Sequence, residues 1–443
     1  MSALFISACG GGNNTTSMTP NGSSAAMTVN IGDAPLNNGV LAFEITVNSL
    51  TLTGTPGTVN VITSPVTVEL SHLAGTFIPL ALTKLSPGTY TQLTVDLGAG
   101  EIVFLPQAAS TPVHKNIPAL GKITIPLTPG IVVPAGATSL NVDVDLASSV
   151  TIDASNNVVF NPKFTVTSNS VPAAGEKEDD EHGELDDVKG VVGTVSASSF
   201  VLNIGTASNA HPLTFNVDQN TTFDGISGGL AALKSGMVVE VNAVTITDGT
   251  LLAKRVELET EHTIGMEAEG RVFSTTNMPT SFQLIVHEDE GANAPNLGTT
   301  ITVNLSPNTT FRVNSEFSMN IPTGLTFSAT TLAAGQNVEA DADSGTGTTV
   351  AASRVQLKQQ AVDGTIAGLS NGNFQLNLDP NSALARLSGQ SSISVSAANA
   401  VNRTAASLAN GQVVRVRGLL FFTPANGSTA ASYTLVARVI KTP

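Results

Sequence analysis

The chain has 443 residues, of which 41% are hydrophobic and only 12% charged, with 34 acidic against 19 basic residues and a net charge of −15. That balance excludes nucleic acid as a partner, because a phosphate backbone is held by clustered Lys and Arg that release its counterions, and no basic cluster interleaved with aromatics occurs. It also disfavours an anionic membrane surface as a platform. The length exceeds what one core serves and gives about three domains at roughly 150 residues each. The single cysteine, Cys9, excludes intrachain disulfides and every multi-cysteine metal site.

The charge that is missing is replaced by Gly, Ser, Thr, Asn and Ala, a mixture that suits short strands joined by turns. Runs of Glu, Lys and Leu at helical spacing are scarce, so almost no helix is expected. At the start, Leu4-Phe5-Ile6-Ser7-Ala8-Cys9-Gly10 resembles a lipobox, the bacterial cleavage site whose cysteine is acylated and becomes the new N-terminus. The resemblance implies lipidation at Cys9 and makes residues 1–8 the remnant of a signal peptide, since a complete one has a basic start and about 7–15 apolar residues. Gly10 after the cysteine resembles the outer-membrane sorting pattern of Gram-negative lipoproteins. No other segment approaches the ~20 apolar residues of a spanning helix. Residues 9–26 form a tether rich in Gly, Asn, Ser and Thr, with a coil reach of roughly 20–25 Å.

From residue 27 the pattern turns to period two. Met27, Val29 and Ile31 alternate with polar residues, as do Leu41, Phe43, Ile45 and Val47, then Leu93, Val95 and Leu97, then Leu140, Val142 and Val144. These are half-buried strands, and their even spacing predicts a β-sandwich over 27–170. Val29 to Pro35 (VNIGDAP), Leu85 to Val95 (LSPGTYTQLTV) and Leu140 to Val150 (LNVDVDLASSV) resemble an uncharacterised N-terminal domain family of bacterial lipoproteins. That resemblance implies a transthyretin-like sandwich and an envelope address, and carries no activity.

Residues 171–187 are a boundary by composition: eight acidic residues lie between Glu176 and Asp187, with only Lys177 opposing them. Such a block repels itself and reads as an extended, solvated linker.

Beyond it one unit recurs three times, over 188–259, 266–358 and 361–441. Its landmarks are an opening glycine (Gly190, Gly270, Gly364) and an inward Phe (Phe200, Phe282, Phe374). A turn glycine (Gly236, Gly335, Gly411) then feeds an alternating strand, and a closing strand carries an outward Arg (Arg255, Arg354, Arg438). Thr222-Phe223 and Thr310-Phe311 mark the first two units, and the third lacks the pair. The second unit carries extra chain, with 24 positions from Phe311 to Gly335 where Phe223 to Gly236 spans 13. Five strands closing on themselves hide their edges, so each unit is predicted as a small OB-like barrel. The units resemble a second uncharacterised lipoprotein repeat family. The expected fold class is therefore all-β: an N-terminal sandwich followed by three small OB-like barrel repeats, beads on a string.

Few residues suggest chemistry. Gly225-Ile226-Ser227-Gly228-Gly229 fits G-x-S-x-G, but that motif acts only at a strand-to-helix turn of an α/β sheet, and here it reads as a repeat loop. The six histidines show no ligand spacing of a metal motif. The metal candidates are Glu178, Asp179, Asp180, Glu181 and His182 in the linker, with His262 beside Glu259 and Glu261, and His287 followed by Glu288, Asp289 and Glu290. Oxygen-rich clusters of this kind suit calcium, while the simpler reading is a solvated charge run, because no Asp-x-Asp-x-Asn-Gly loop with a distal Glu accompanies them. Asp341-Ala342-Asp343 lacks that Glu too. Asp143 and Asp145 lie two apart on a predicted strand and are expected on one face, where paired carboxylates serve acid–base work or mark the solvent side. With no Trp and only two Tyr, an aromatic sugar-binding platform is not expected.

The sequence thus predicts a non-enzymatic, lipid-anchored envelope or surface protein of the outer membrane, a structural or interaction module with a protein partner. It predicts no catalytic residue and no cofactor. The alternative is an envelope protein binding a divalent cation, calcium, or a small ligand.

Overall fold

The computed structural model describes residues 25–33, 39–62, 64–73, 77–107, 111–134, 138–170, 184–204, 211–246, 250–260, 266–290, 298–313, 321–402, 404, 407–428 and 430–442. Cys9, most of the 9–26 tether, and the linker residues Glu178, Asp179, Asp180, Glu181 and His182 lie outside the described residues.

Alternating apolar side chains give the first domain its strands: β1 (Ala25–Asp33), β2 (Val40–Gly54), β3 (Gly57–Ile62), β4 (Val66–Glu69), β5 (Phe77–Leu85), β6 (Gly88–Phe104), β7 (Val113–Ile117), β8 (Gly121–Val133) and β9 (Thr138–Val144). A one-turn helix, α1 (Leu146–Ser149), precedes β10 (Val150–Ile152), β11 (Val158–Phe160) and β12 (Phe164–Ser170). One sheet runs β12-β9-β1-β5, with β1 and β9 parallel; the other runs β3-β2-β6-β7, with β4 on β2 and β8 on β6. The two sheets share one core, to which Met27, Val29 and Ile31, then Phe43, Ile45 and Val47, then Leu140, Val142 and Val144 contribute from alternate positions, as the pattern predicts. One cavity within it, between Ile31, Val47, Leu80, Val95, Val142 and Phe160, has a volume of about 10 Å³, room for no more than one water.

The three units follow. The first holds β13 (Glu184–Val195), β14 (Ser199–Ile204), β15 (His211–Asn216), β16 (Thr222–Asp224), β17 (Val238–Thr245) and β18 (Leu251–Thr260). The second holds β19 (Met266–Ser274), β20 (Ser281–Glu290), β21 (Thr300–Asn304), β22 (Thr310–Val313), β23 (Asn337–Thr346) and β24 (Thr349–Leu357). The third holds β25 (Gln359–Ser370), β26 (Asn373–Leu378), helix α2 (Ala383–Ser388), β27 (Ser392–Ser396), β28 (Val401–Asn402), β29 (Val413–Thr423) and β30 (Ser432–Lys441). In each, the first strand lies between the second and the fifth, the sixth lies beside the fifth, and a parallel pairing of third with sixth closes a ring of five, with the short fourth strand added at the edge of the sixth: β15 with β18, β21 with β24, β27 with β30. That is the five-stranded connectivity expected of an OB-like barrel.

The repeated glycines have a shared physical cause. A Cβ on Gly190, Gly270 or Gly364 would fall within 3.0 Å of the carbonyl oxygen of Asn203, Ile285 or Asn377 on the neighbouring strand. Gly236, Gly335 and Gly411 take φ of +91°, +91° and +84°, a turn that only glycine enters without strain. Their amides donate to Val192, Val272 and Ile366, each at 2.8 Å. Phe200, Phe282 and Phe374 are buried in the three cores, in the inward positions the pattern assigns.

Two details differ from the sequence reading. The strand β13 begins at Glu184, inside the stretch whose charge assigns it to the linker, because Leu185 and Val188 are buried in the first barrel core and draw the backbone into pairing with β17. In the third unit, Arg438 is not the counterpart of Arg255 and Arg354. Those two face Asn242 and Asp341, whereas the residue facing Arg417 is Val439; Arg438 sits in the β-bulge occupied by Lys254 and Ser353 in the other units. The same register puts Val401 and Asn402 of β28 where Thr222-Phe223 and Thr310-Phe311 stand.

The modules keep their serial order and also touch. Leu41, Ala42, Val103 and Leu105 of the sandwich form one apolar cluster with Ile285 of the second unit and Ala383 of the third. Thr28 and Thr245 share a hydroxyl hydrogen bond of 3.0 Å between sandwich and first unit. The extra chain of the second unit reaches the third, where the Tyr433 hydroxyl donates to the Ala334 carbonyl at 2.9 Å and Gln336 Nε2 to the Leu420 carbonyl at 2.8 Å. Among the described residues no helix is long and apolar enough to cross a membrane.

Candidate functional site

Each barrel presents an outer face built from its first, fifth and sixth strands. The residue before the opening glycine lies directly across from a residue of the fifth strand, giving the pairs Lys189–Glu240, Glu269–Glu339 and Asp363–Arg415. The first and third pairs are of opposite charge. The second joins two acids, and two residues along the same strands Glu267 faces Asp341, again acid against acid. Like charges directly opposed across an antiparallel ladder are destabilising, and the barrel core forbids a slip of register that would part them.

The counter-charges come largely from outside the second unit's strands. Lys189 of the first unit pairs with Glu267. Lys358, the single residue between β24 and β25, donates to Glu240 Oε2 at 2.6 Å and to Glu339 Oε2 at 3.3 Å, and lies 3.4 Å from Glu269 Oε2. Arg354 reaches Glu339 Oε1 at 3.2 Å and pairs with Asp341. At the edge, Arg255 bonds Asp224 at 2.6 Å and Glu257 at 2.9 Å. Burial would raise the Glu339 pKa, yet Lys358, Lys189 and Arg354 hold it at about 2. Asp341, buried beside the Glu339 carboxylate, is pushed up to about 6 against the pull of Arg354. Burial likewise raises Glu257, opposed by Arg255 and Lys358. One oxygen each of Glu267, Glu339 and Asp341 lies within 4.8 Å of the others, the one such group of potential metal ligands among the described residues.

The third unit turns its equivalent face toward the sandwich, and there the arrangement is open. A cleft of about 690 Å³ is lined by Asp145 and Ser148 on one side and by Asp363, Asn377, Asp379 and Arg415 on the other. Arg415 holds Asp363 with two bonds, at 3.1 and 3.3 Å. Burial raises both Asp143 and Asp363, with Arg415 and Lys441 opposing and Asp145 adding to the rise. Beside the cluster, Arg386 of α2 ties the third unit to the sandwich through the Leu105 carbonyl.

Of the residues the sequence singles out, Asp143 and Asp145 are near each other but do not share a strand face. Asp145 lies past the end of β9 and caps α1, accepting from the Ser148 amide at 2.9 Å. Ser227 is exposed in the loop between β16 and a short 3-10 turn, with no strand-to-helix elbow around it. His287 is buried in β20, while His262 and Glu261 lie outside the described residues. Asp341, dismissed as a loop ligand, belongs to the three-carboxylate group.

Fold and faces together define a serial all-β protein, a sandwich followed by three closed barrels, the first two of them docked through charged outer strands. Residues 24–162 match the family described as Domain of unknown function (DUF4382), and residues 189–257 the family described as Domain of unknown function (DUF5666). No curated protein and no solved structure matches the chain.

Proposed function

We propose that this is a non-enzymatic, lipid-anchored outer-membrane protein, a structural and interaction module that holds a pre-set array of β-domains for a protein partner in the envelope. The observation that supports it most is the shared packing between modules: a protein that catalyses on one domain has no need to fix four, whereas a spacer or scaffold does. The apolar cluster around Leu41, Val103, Ile285 and Ala383, together with the Lys358 and Lys189 ion pairs, fixes the modules relative to each other at the cost of burying charge. The lipobox-like run ending at Cys9, and the resemblance of both domain types to lipoprotein families, support the anchor.

Metabolic labelling with palmitate and fractionation test the anchor. The expected result is label and outer-membrane recovery for the parent chain, and an unlabelled, soluble product for Cys9→Ala. Recovery of Cys9→Ala in the membrane, with no label on either chain, sinks the reading. Crosslinking in intact cells should then give one discrete protein adduct; its absence removes the partner.

A further inference from the structure

We propose that the junction between the first and second barrels binds one divalent cation of calcium size through Glu267, Glu339 and Asp341. Three observations carry it. Glu267 and Asp341 oppose each other across the β19–β23 ladder with Glu339 on the same face, and one oxygen of each lies within 4.8 Å of the others. Two oxygens on opposite sides of a calcium ion stand up to about 5 Å apart, against about 4 Å for magnesium, so this group closes around calcium without moving its strands.

The second observation is what the neighbours leave unfilled. Lys189 takes Glu267 Oε1, Lys358 and Arg354 take the two Glu339 oxygens, and Arg354 takes Asp341 Oδ2. Glu267 Oε2 and Asp341 Oδ1 are buried and accept no hydrogen bond, and the Glu267 side chain is 0% exposed. A buried carboxylate oxygen without a donor carries the full loss of its hydration, which a metal ion at that point restores.

The third is charge. The junction's described residues hold six carboxylates (Glu240, Glu257, Glu267, Glu269, Glu339 and Asp341) against four cations (Lys189, Arg255, Arg354 and Lys358). Asp224, 47% exposed, is screened by solvent. Two negative charges remain, and one divalent ion matches them. Asp341, 17% exposed, and Arg354 form the rim through which the ion enters. The site is separate from the linker carboxylates.

The test uses the full chain in detergent, stripped with chelator, titrated with calcium or magnesium by calorimetry and followed by thermal melting. Calcium should raise the melting temperature, and magnesium should do so less. Glu267→Gln should bind one calcium fewer per chain, and neutralising Glu178, Asp179, Asp180 and Glu181 should leave that ion in place. Because Glu267→Gln stands to disturb folding, Asp341→Asn at the rim is the second variant, with an expected loss of affinity of at least about tenfold. No calcium bound at millimolar concentration overturns the proposal. So does binding that the linker variant abolishes, or an Asp341→Asn chain that binds as the parent does.

Discussion

The same barrel face is used twice with opposite results. Between the first and second units it is shut: Lys358 and Lys189 sit between carboxylates of two barrels with almost no solvent. Between the third unit and the sandwich it stands around a cleft of about 690 Å³. What separates them is where the compensating charge lies. Asp363 and Arg415 neutralise each other within one barrel, so the third unit's face is complete without a neighbour. Glu269 and Glu339 are both acids, so the second unit must take its ammonium groups from Lys358 and the first unit, and burial follows from that need.

The comparison breaks most sharply at Lys358. Lys358→Ala leaves Glu240, Glu269 and Glu339 buried without their shared cation and is expected to cost about 3–5 kcal/mol, the usual penalty for stripping one partner from a buried ion pair. Denaturant unfolding measures it; a cost under about 1 kcal/mol would mean that the junction is wetter than its geometry. Arg415→Gln removes the corresponding cation at the open face, where water reaches Asp363, and should cost less, about 1–2 kcal/mol. Equal losses at the two positions would mean that the two faces are equally buried.

The smallest effect is in pH. Asp143 and Asp363 have pKa values raised above 3.8 by burial, so the fold favours their protonated forms. The stability they contribute is present below pH 3.8 and is lost as pH rises through their folded values. Asp363→Asn should therefore flatten the fall of melting temperature with rising pH above about 4. Glu339 in the junction runs the other way: held at about 2, it contributes stability above its ordinary 4.5 that is lost on acidification. A profile for Asp363→Asn that parallels the parent rules out the open face as the source.

The strands, the repeat and its inward phenylalanines were legible because alternation and glycine spacing are local signals. Phe200, Phe282 and Phe374 sit where the pattern places them. The junction was not legible for the reason that makes it a junction. Glu339 and Asp341 alternate with Val338 and Ala340, which reads as an ordinary solvent face, and the residue that opposes them is fixed by a pairing some seventy positions away. Arg438 stands one position before the ladder counterpart of Arg255 and Arg354, because all three closing strands carry the same bulge but the Arg-Val pair comes one residue earlier after its alanine in the third unit, so matching on Arg-Val shifts the strand by one. Glu184 looked like linker because its neighbours are acidic, although Leu185 was already marking the strand.

The position of Lys358 also fixes a length. It is the only residue between the last strand of the second barrel and the first of the third, yet its ammonium meets Glu240 of the first barrel as well as Glu339 of the second. The connector is therefore also a clasp, and a residue inserted or deleted there would carry the ammonium away from carboxylates on two barrels while shifting the start of β25. Connections between elements commonly absorb such changes of length, whereas this one has no slack.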